Sequence, residues 1–207
     1  CYGAFAFCGN LQKIDIPQDS NLQTIENEAF KFTEIDSIFL PEKLIELKDG
    51  WCNCANSLTK IIVSTKNDRF SFKENKYLVG KSDIKSDVYD TLIFASRDIN
   101  ELEFPSEIKI IASYAFQYCQ KIKTIKFQPD SKLQIINRNA FENSLINYIS
   151  IPPTVSKICS NAFEKCYVLL KVDIPSNSSL QSIDEETFQD SIITSIYIPQ
   201  FVSKISK

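Results

Sequence analysis

The chain has 207 residues, 43% of them apolar, and a formal charge of −3, enough for one large domain or one elongated array. That acidic balance argues against a nucleic-acid binder, which normally carries a basic excess. Histidine is absent and only four scattered glycines occur, which removes histidine-based catalytic or metal sites and any Gly-rich phosphate loop.

Methionine is also absent, so the chain reads as a piece of a longer one. No apolar run approaches the roughly 20 residues needed to span a bilayer, and no secretory leader is visible. From the N-terminus, Ala4-Phe5 opens a unit that runs through Cys8 to an apolar triplet, Leu11/Ile14/Ile16, and then Pro17. The next stretch, SNLQTIENEAF over 20–30, ends on Ala29-Phe30. Thr33, the triplet Ile35/Ile38/Leu40 and Pro41 follow in the same order. Trp51-Cys52 takes the Ala-Phe place by spacing, ahead of Ala55 and the triplet Leu58/Ile61/Val63.

After residue 63 the columns fail. Within 70–94, residues 77–79 and 91–94 look like two short strands joined by a polar loop over 80–90. That loop holds Asp83, Asp87 and Asp90. Their spacing lacks the order and the glycine of a calcium-binding loop, so they read as solvated.

From Ile99 the pattern resumes with Ile99/Leu102/Phe104 and Pro105. Ala115-Phe116, Ala140-Phe141, Ala162-Phe163 and Thr187-Phe188 follow at steps of 25, 22 and 25 residues. The segments SKLQIINRNAF at 131–141 and SSLQSIDEETF at 178–188 repeat the one at 20–30. A long and a short unit therefore alternate within a 47-residue superperiod. Each I-x-I is a period-2 strand with one face inward, and Pro ends it because it has no N–H to give a ladder. One unit of 22–25 residues cannot bury its apolar face alone, whereas stacked units share one core.

The pattern L-x-x-I-x-I-P-x-x-V-x-x-I-x-x-x-A-F-x-x-C resembles the BspA-like, or Treponema-pallidum-type, leucine-rich repeats. The alternation of a Cys unit (162–175) with a Ser unit (187–199) is similar to members from mucosal protozoa such as trichomonads. The resemblance implies cell-surface or secreted proteins that bind host or matrix proteins in adhesion. It also implies a hairpin insert of the kind that interrupts some arrays.

The resulting expectation is a β-rich, right-handed leucine-rich-repeat solenoid of about eight to nine coils, with Ala-Phe segments in short turns or 3₁₀ pieces. Residues 1–207 form one such domain, regular over 1–63 and 99–207, with a β-hairpin insert over 64–98. Neither end shows a polar cap, so the chain reads as a slice of a longer array whose open ends pair weakly.

The seven cysteines read as free thiols. Cys8, Cys119 and Cys166 share the small core column. Cys119 and Cys166 lie two coils, roughly 10 Å, apart, beyond the ~7 Å Cα limit of a disulfide. Cys52-x-Cys54 has no second pair at zinc spacing, so neither metal nor cofactor is expected. No residue grouping supports a catalytic role. The acceptor triplet Asn177-Ser178-Ser179 carries no weight in a chain this rich in Asn, Ser and Thr.

The candidate functional surface is the outward stripe of the strand face: Phe39, Ile62, Lys126, Tyr148 and Tyr197. Exposed aromatics are the usual anchors of protein interfaces. The expected partner is a protein, of the host matrix or cell surface if the resemblance holds. An intracellular scaffold, or a spacer within a longer surface protein, would use the same fold. No nucleic acid and no membrane span are expected.

Overall fold

The computed structural model describes residues 3–206. They form a β-solenoid of about eight turns with no helix. The first block holds β1 (Thr24–Ile25), β2 (Ser37–Leu40), β3 (Glu46–Leu47) and β4 (Lys60–Val63). The insert supplies β5 (Phe70–Lys73), β6 (Tyr77–Gly80) and β7 (Thr91–Ala95). The second block holds β8 (Glu101–Phe104), β9 (Ile110–Ile111), β10 (Thr124–Phe127), β11 (Ile135–Ile136) and β12 (Tyr148–Ser150). It ends with β13 (Lys157–Ile158), β14 (Lys171–Asp173), β15 (Ser182–Ile183) and β16 (Lys204–Ile205).

The I-x-I strands of the coils form one set of ladders, the outer strands, and the short strands form another. Outer strands pair in parallel, β2 with β4 and β8-β10-β12-β14 in order. In-register pairing puts equivalent inward residues over one another, as with Ile38 over Ile61 and Ile149 over Val172. The pleat then sends the middle residue outward. The triplets at 11–16 and 193–198 form no strand. They lie in the first and last coils of the described residues.

The Ala-Phe corner is a third ladder. Phe116 N donates to Ala140 O at 2.7 Å, Phe141 N to Ala162 O at 2.7 Å, and Phe163 N to Thr187 O at 2.8 Å. Within one coil the corner closes by i to i+3 bonds, such as Ala140 N to Asn137 O and Glu142 N to Asn139 O. Between them stand residues with positive φ, in pairs such as Asn139/Asn143, Tyr114/Tyr118 and Glu186/Asp190. A left-handed residue every fourth position breaks a 3₁₀ run, so the corner is a chain of turns. Asn accepts that conformation more easily than most residues, which accounts for its use in a glycine-poor chain.

Rings stack along this corner. Phe116, Phe141, Phe163 and Phe188 follow one another with centroids 4.8, 5.0 and 5.4 Å apart. In the first block Phe5 stacks on Phe30 at 5.7 Å, Phe30 meets Trp51 edge-on at 6.4 Å, and Trp51 meets Phe94 of the insert at a tilt at 6.1 Å. In the long units the repeated serine has a local role: Ser20, Ser131 and Ser178 each accept the N–H two residues on, at 3.2, 3.4 and 3.2 Å.

The insert holds the expected strand pair, β6 with β7, and adds a third strand. It has three strands, because Phe70–Lys73 pairs antiparallel with β6, and β6 pairs antiparallel with β7. Residues 91–95 rejoin the array, since β7 pairs in parallel with β9. The three strands form a partition between two cores. Tyr77, Val79, Leu92 and Ala95 pack into the core of the second block. Phe70, Leu78 and Phe94 pack into the core of the first. All four residues of β6 are buried, as two-sided burial requires.

Asn67 joins the partition to the first block. Its Nδ2 donates to Pro41 O at 2.8 Å and Leu44 O at 2.9 Å, and its Oδ1 accepts from the N–H of Arg69 and Phe70. Where the two ring stacks break, between Phe94 and Phe116, Arg97 is buried with its guanidinium 4.6 Å from the Phe94 ring centroid. Its Nη1 donates to Ala115 O at 3.1 Å.

The loop before β7 is not wholly solvated. Asp83 and Asp87 are exposed, but Asp90 is 3% exposed. Its carboxylate accepts from Ser82 N at 2.8 Å and Ser82 Oγ at 2.7 Å, and lies 3.3 Å from Lys109 Nζ. Burial works against the charge, yet these donors outweigh it and hold the carboxyl below its ordinary pKa. Spacing could not show this, because Ser82 and Lys109 meet Asp90 only through the strand pairing.

Cys8 is a second correction. It is exposed, because no coil lies above it among the described residues, while Cys119 and Cys166 are buried as expected. The six described cysteines are free, and Cys1 lies outside the described residues. Burial pushes the Cys52 and Cys166 thiols up to about 11, where they are inert.

Candidate interaction surface

The outer strands and the equivalent positions of the two end triplets give two outward columns. One runs Lys13, Ser37, Lys60, Glu101, Thr124, Tyr148, Lys171 and Ser195, and the other Asp15, Phe39, Ile62, Glu103, Lys126, Ser150, Asp173 and Tyr197. The candidate stripe is distributed over two sheets and the last coil. Phe39 and Ile62 lie on the two-stranded sheet, and Lys126 and Tyr148 on the four-stranded one. The turn between β5 and β6 reaches this face, and Glu74 and Lys76 line a depression with Glu101, Glu103 and Lys126.

Phe39 and Ile62 are direct ladder partners, so two apolar side chains stand together there. Phe39 is half-buried and Ile62 is 45% exposed. Lys126 faces Glu103 across the ladder, while Gln128 Nε2 donates to that carboxylate. Tyr148 is tied down: its hydroxyl donates to Asp173 Oδ2 at 2.8 Å, and Lys171 Nζ lies 2.8 Å from Asp173 Oδ1 and 5.8 Å from the Tyr148 ring centroid. The Asp173 hydrogen bond raises the Tyr148 pKa, and Lys171 lowers that of Asp173. Tyr197 is exposed on the last coil, outside any strand. Of the five candidates, Phe39 and Ile62 are ladder partners, Lys126 and Tyr148 line one depression while bonding to opposite neighbouring strands, and Tyr197 stands apart.

Among the described residues no three or more Cys, Asp or Glu converge as metal ligands. Nor, among those residues, is any helix long and apolar enough to cross a membrane. A cleft of about 330 Å³ opens at the partition, lined by residues including Trp51, Arg69, Phe70, Lys81 and Ile93.

A second surface was missed from the sequence, at the corner between the Cys turn and the strand face. Tyr167, Val168, Leu170 and Ile192 are exposed there. The signal that reveals them is comparison down the columns, because earlier units carry polar residues at these positions.

No curated protein matches the chain. Three solved structures share the fold. A leucine-rich repeat protein from Eubacterium ventriosum is 18% identical with a TM-score of 0.74, over 97% of this chain and 65% of that one. A leucine-rich cell surface protein from Faecalibacterium prausnitzii is 20% identical with a TM-score of 0.68, over 99% and 56%. The pneumococcal vaccine antigen PcpA is 20% identical with a TM-score of 0.68, over 97% and 58%. The chain thus spans less than two thirds of each. Residues 1–78 and 90–207 match the model of the BspA-type leucine-rich repeat region in six copies, and the chain belongs to that family.

Proposed function

We propose that this chain is a non-catalytic protein-binding module of a cell-surface, adhesin-like protein that docks host or matrix proteins on its strand face. Leucine-rich-repeat solenoids are binding scaffolds, and two proteins sharing this fold are described as a cell surface protein and a vaccine antigen. One observation carries the reading. Inward residues of the strands repeat coil after coil, while outward ones vary and include Phe39, Ile62, Tyr148 and Tyr197. A solvated strand needs no aromatic there, and binding by rigid aromatics on an extended sheet needs no cofactor.

The test is binding of the purified chain to a panel of extracellular-matrix proteins and mucosal cells, beside a variant with Phe39, Tyr148 and Tyr197 all changed to Ala. Saturable binding lost in the variant supports the strand face. Binding kept in the variant moves the site elsewhere, and no binding by either protein assigns this stretch a spacer role.

A further inference from the structure

The repeats supply their own control. Where the fold sets no demand, the residue in each coil reports something other than folding. Between the small corner position and the first triplet residue stand Gly9-Asn10, Glu34, Asn56-Ser57 and Gln120-Lys121 in the earlier units. All are polar or small, as a solvated corner allows. The last three units carry Leu145, Tyr167-Val168 and Ile192 at the same place. One column further on, Gln12, Asp36, Thr59, Asn100, Lys123, Asn147 and Thr194 are polar, and only Leu170 is apolar.

These apolar residues are not core. Tyr167 is 52% exposed, Val168 37%, Leu170 57% and Ile192 48%. They are contiguous: Leu145, Val168 and Ile192 occupy one column on successive coils, and Leu170 N donates to Asn147 O at 3.0 Å. An exposed cluster confined to one corner of adjacent coils is the kind of patch that marks a contact site.

The corner also carries charge. Gln120, Lys121, Lys123, Leu145, Asn147 and Val168 line one open depression of about 550 Å³. Lys121 and Lys123 are exposed, and neither forms an ion pair among the described residues. The segment CQKIKTIKF over 119–127 contains three lysines and no carboxylate, in a chain whose total charge is −3. Two unmatched cations beside an apolar shelf are complementary to a segment that pairs apolar side chains with carboxylates.

We infer that the corner formed by Lys121, Lys123, Leu145, Val168, Leu170 and Ile192 docks a protein segment bearing apolar anchors next to acidic residues. The inference rests on the reading of the chain as a protein-binding module, but its residues are distinct from Phe39, Tyr148 and Tyr197, so separate variants distinguish the failure of one from that of the other.

The probes are capped peptides of Leu, Phe and Glu, and the same peptides with every Glu replaced by Lys. Binding is followed by fluorescence anisotropy and by amide cross-peak shifts of the whole chain. The acidic peptide should bind saturably, at least about tenfold tighter than the lysine peptide at low salt, and weaken as salt rises. The Val168→Ser/Leu170→Ser variant should lose about tenfold or more, and Lys121→Glu/Lys123→Glu should reverse the charge preference. Ile84→Ser, at an exposed apolar position in the 80–90 loop, should leave binding unchanged. Circular dichroism and thermal melting of each variant separate lost binding from lost folding.

Equal binding of both peptides, or none, overturns the inference. So does binding that survives Val168→Ser/Leu170→Ser but is lost in the Phe39/Tyr148/Tyr197 variant, which would leave only the strand-face reading standing. A dimer by sedimentation that Val168→Ser/Leu170→Ser dissolves also overturns it, because the occupant is then a second copy.

Discussion

The second block and the partition bury apolar residues by different rules. From β8 to β15 each strand has one inward face, and each coil meets only the coils on either side of it. In the partition, β6 sends Tyr77 and Val79 to one core and Leu78 to the other. The first arrangement is modular, and its stability is close to a sum over coils and their interfaces. The second is a joint on which both blocks depend. Interrupting a solenoid therefore need not expose its core, provided that the interruption is apolar on both faces.

The largest expected effect sits in the regular array. Phe141 is fully buried between Phe116 and Phe163, so Phe141→Ala should cost about 3–5 kcal/mol. Hydrogen exchange should localise that loss to the second block. Equal loss of protection in the first block would show that the partition couples the two cores rather than separating them.

At the joint, Asn67→Ala removes the donor to Pro41 O and Leu44 O and the acceptor for two N–H groups. Leaving such groups buried and unpaired should cost about 2–3 kcal/mol by denaturant unfolding. Exchange should rise at both edges of the joint, in 41–47 and 67–73. A change confined to the loop would show that Asn67 is only a local turn former.

The smallest effect is the most specific. Asp90→Asn should cost about 1 kcal/mol near neutral pH. The folded-state pKa of Asp90 is lowered, so its contribution is present above the ordinary value of 3.8 and is lost as pH falls through the folded value. The stability gap between the natural chain and the variant should close below about pH 4. A gap unchanged down to pH 2 would mean that the latch does not depend on the charge.

The strand face was legible in part. Alternation placed Phe39, Ile62, Lys126 and Tyr148 outward, because a period of two leaves no other choice in a half-buried strand. It did not reveal that the candidates fall on two sheets and the last coil, or that Asp173 and Lys171 hold Tyr148, since those contacts join residues two dozen positions apart. The apolar corner at Tyr167 and Leu170 was readable down the columns, yet a scan for strand periodicity passes over it, because it lies between periodic segments.

The sequence by itself determined the coil, its two lengths, its inward residues and its family, because each coil repeats the same local contacts and periodicity records them. Only the tertiary structure decided the partition, the burial of Asp90 and the exposure of Cys8. Each depends on which non-equivalent segments meet, and no repeat encodes a contact that is made once.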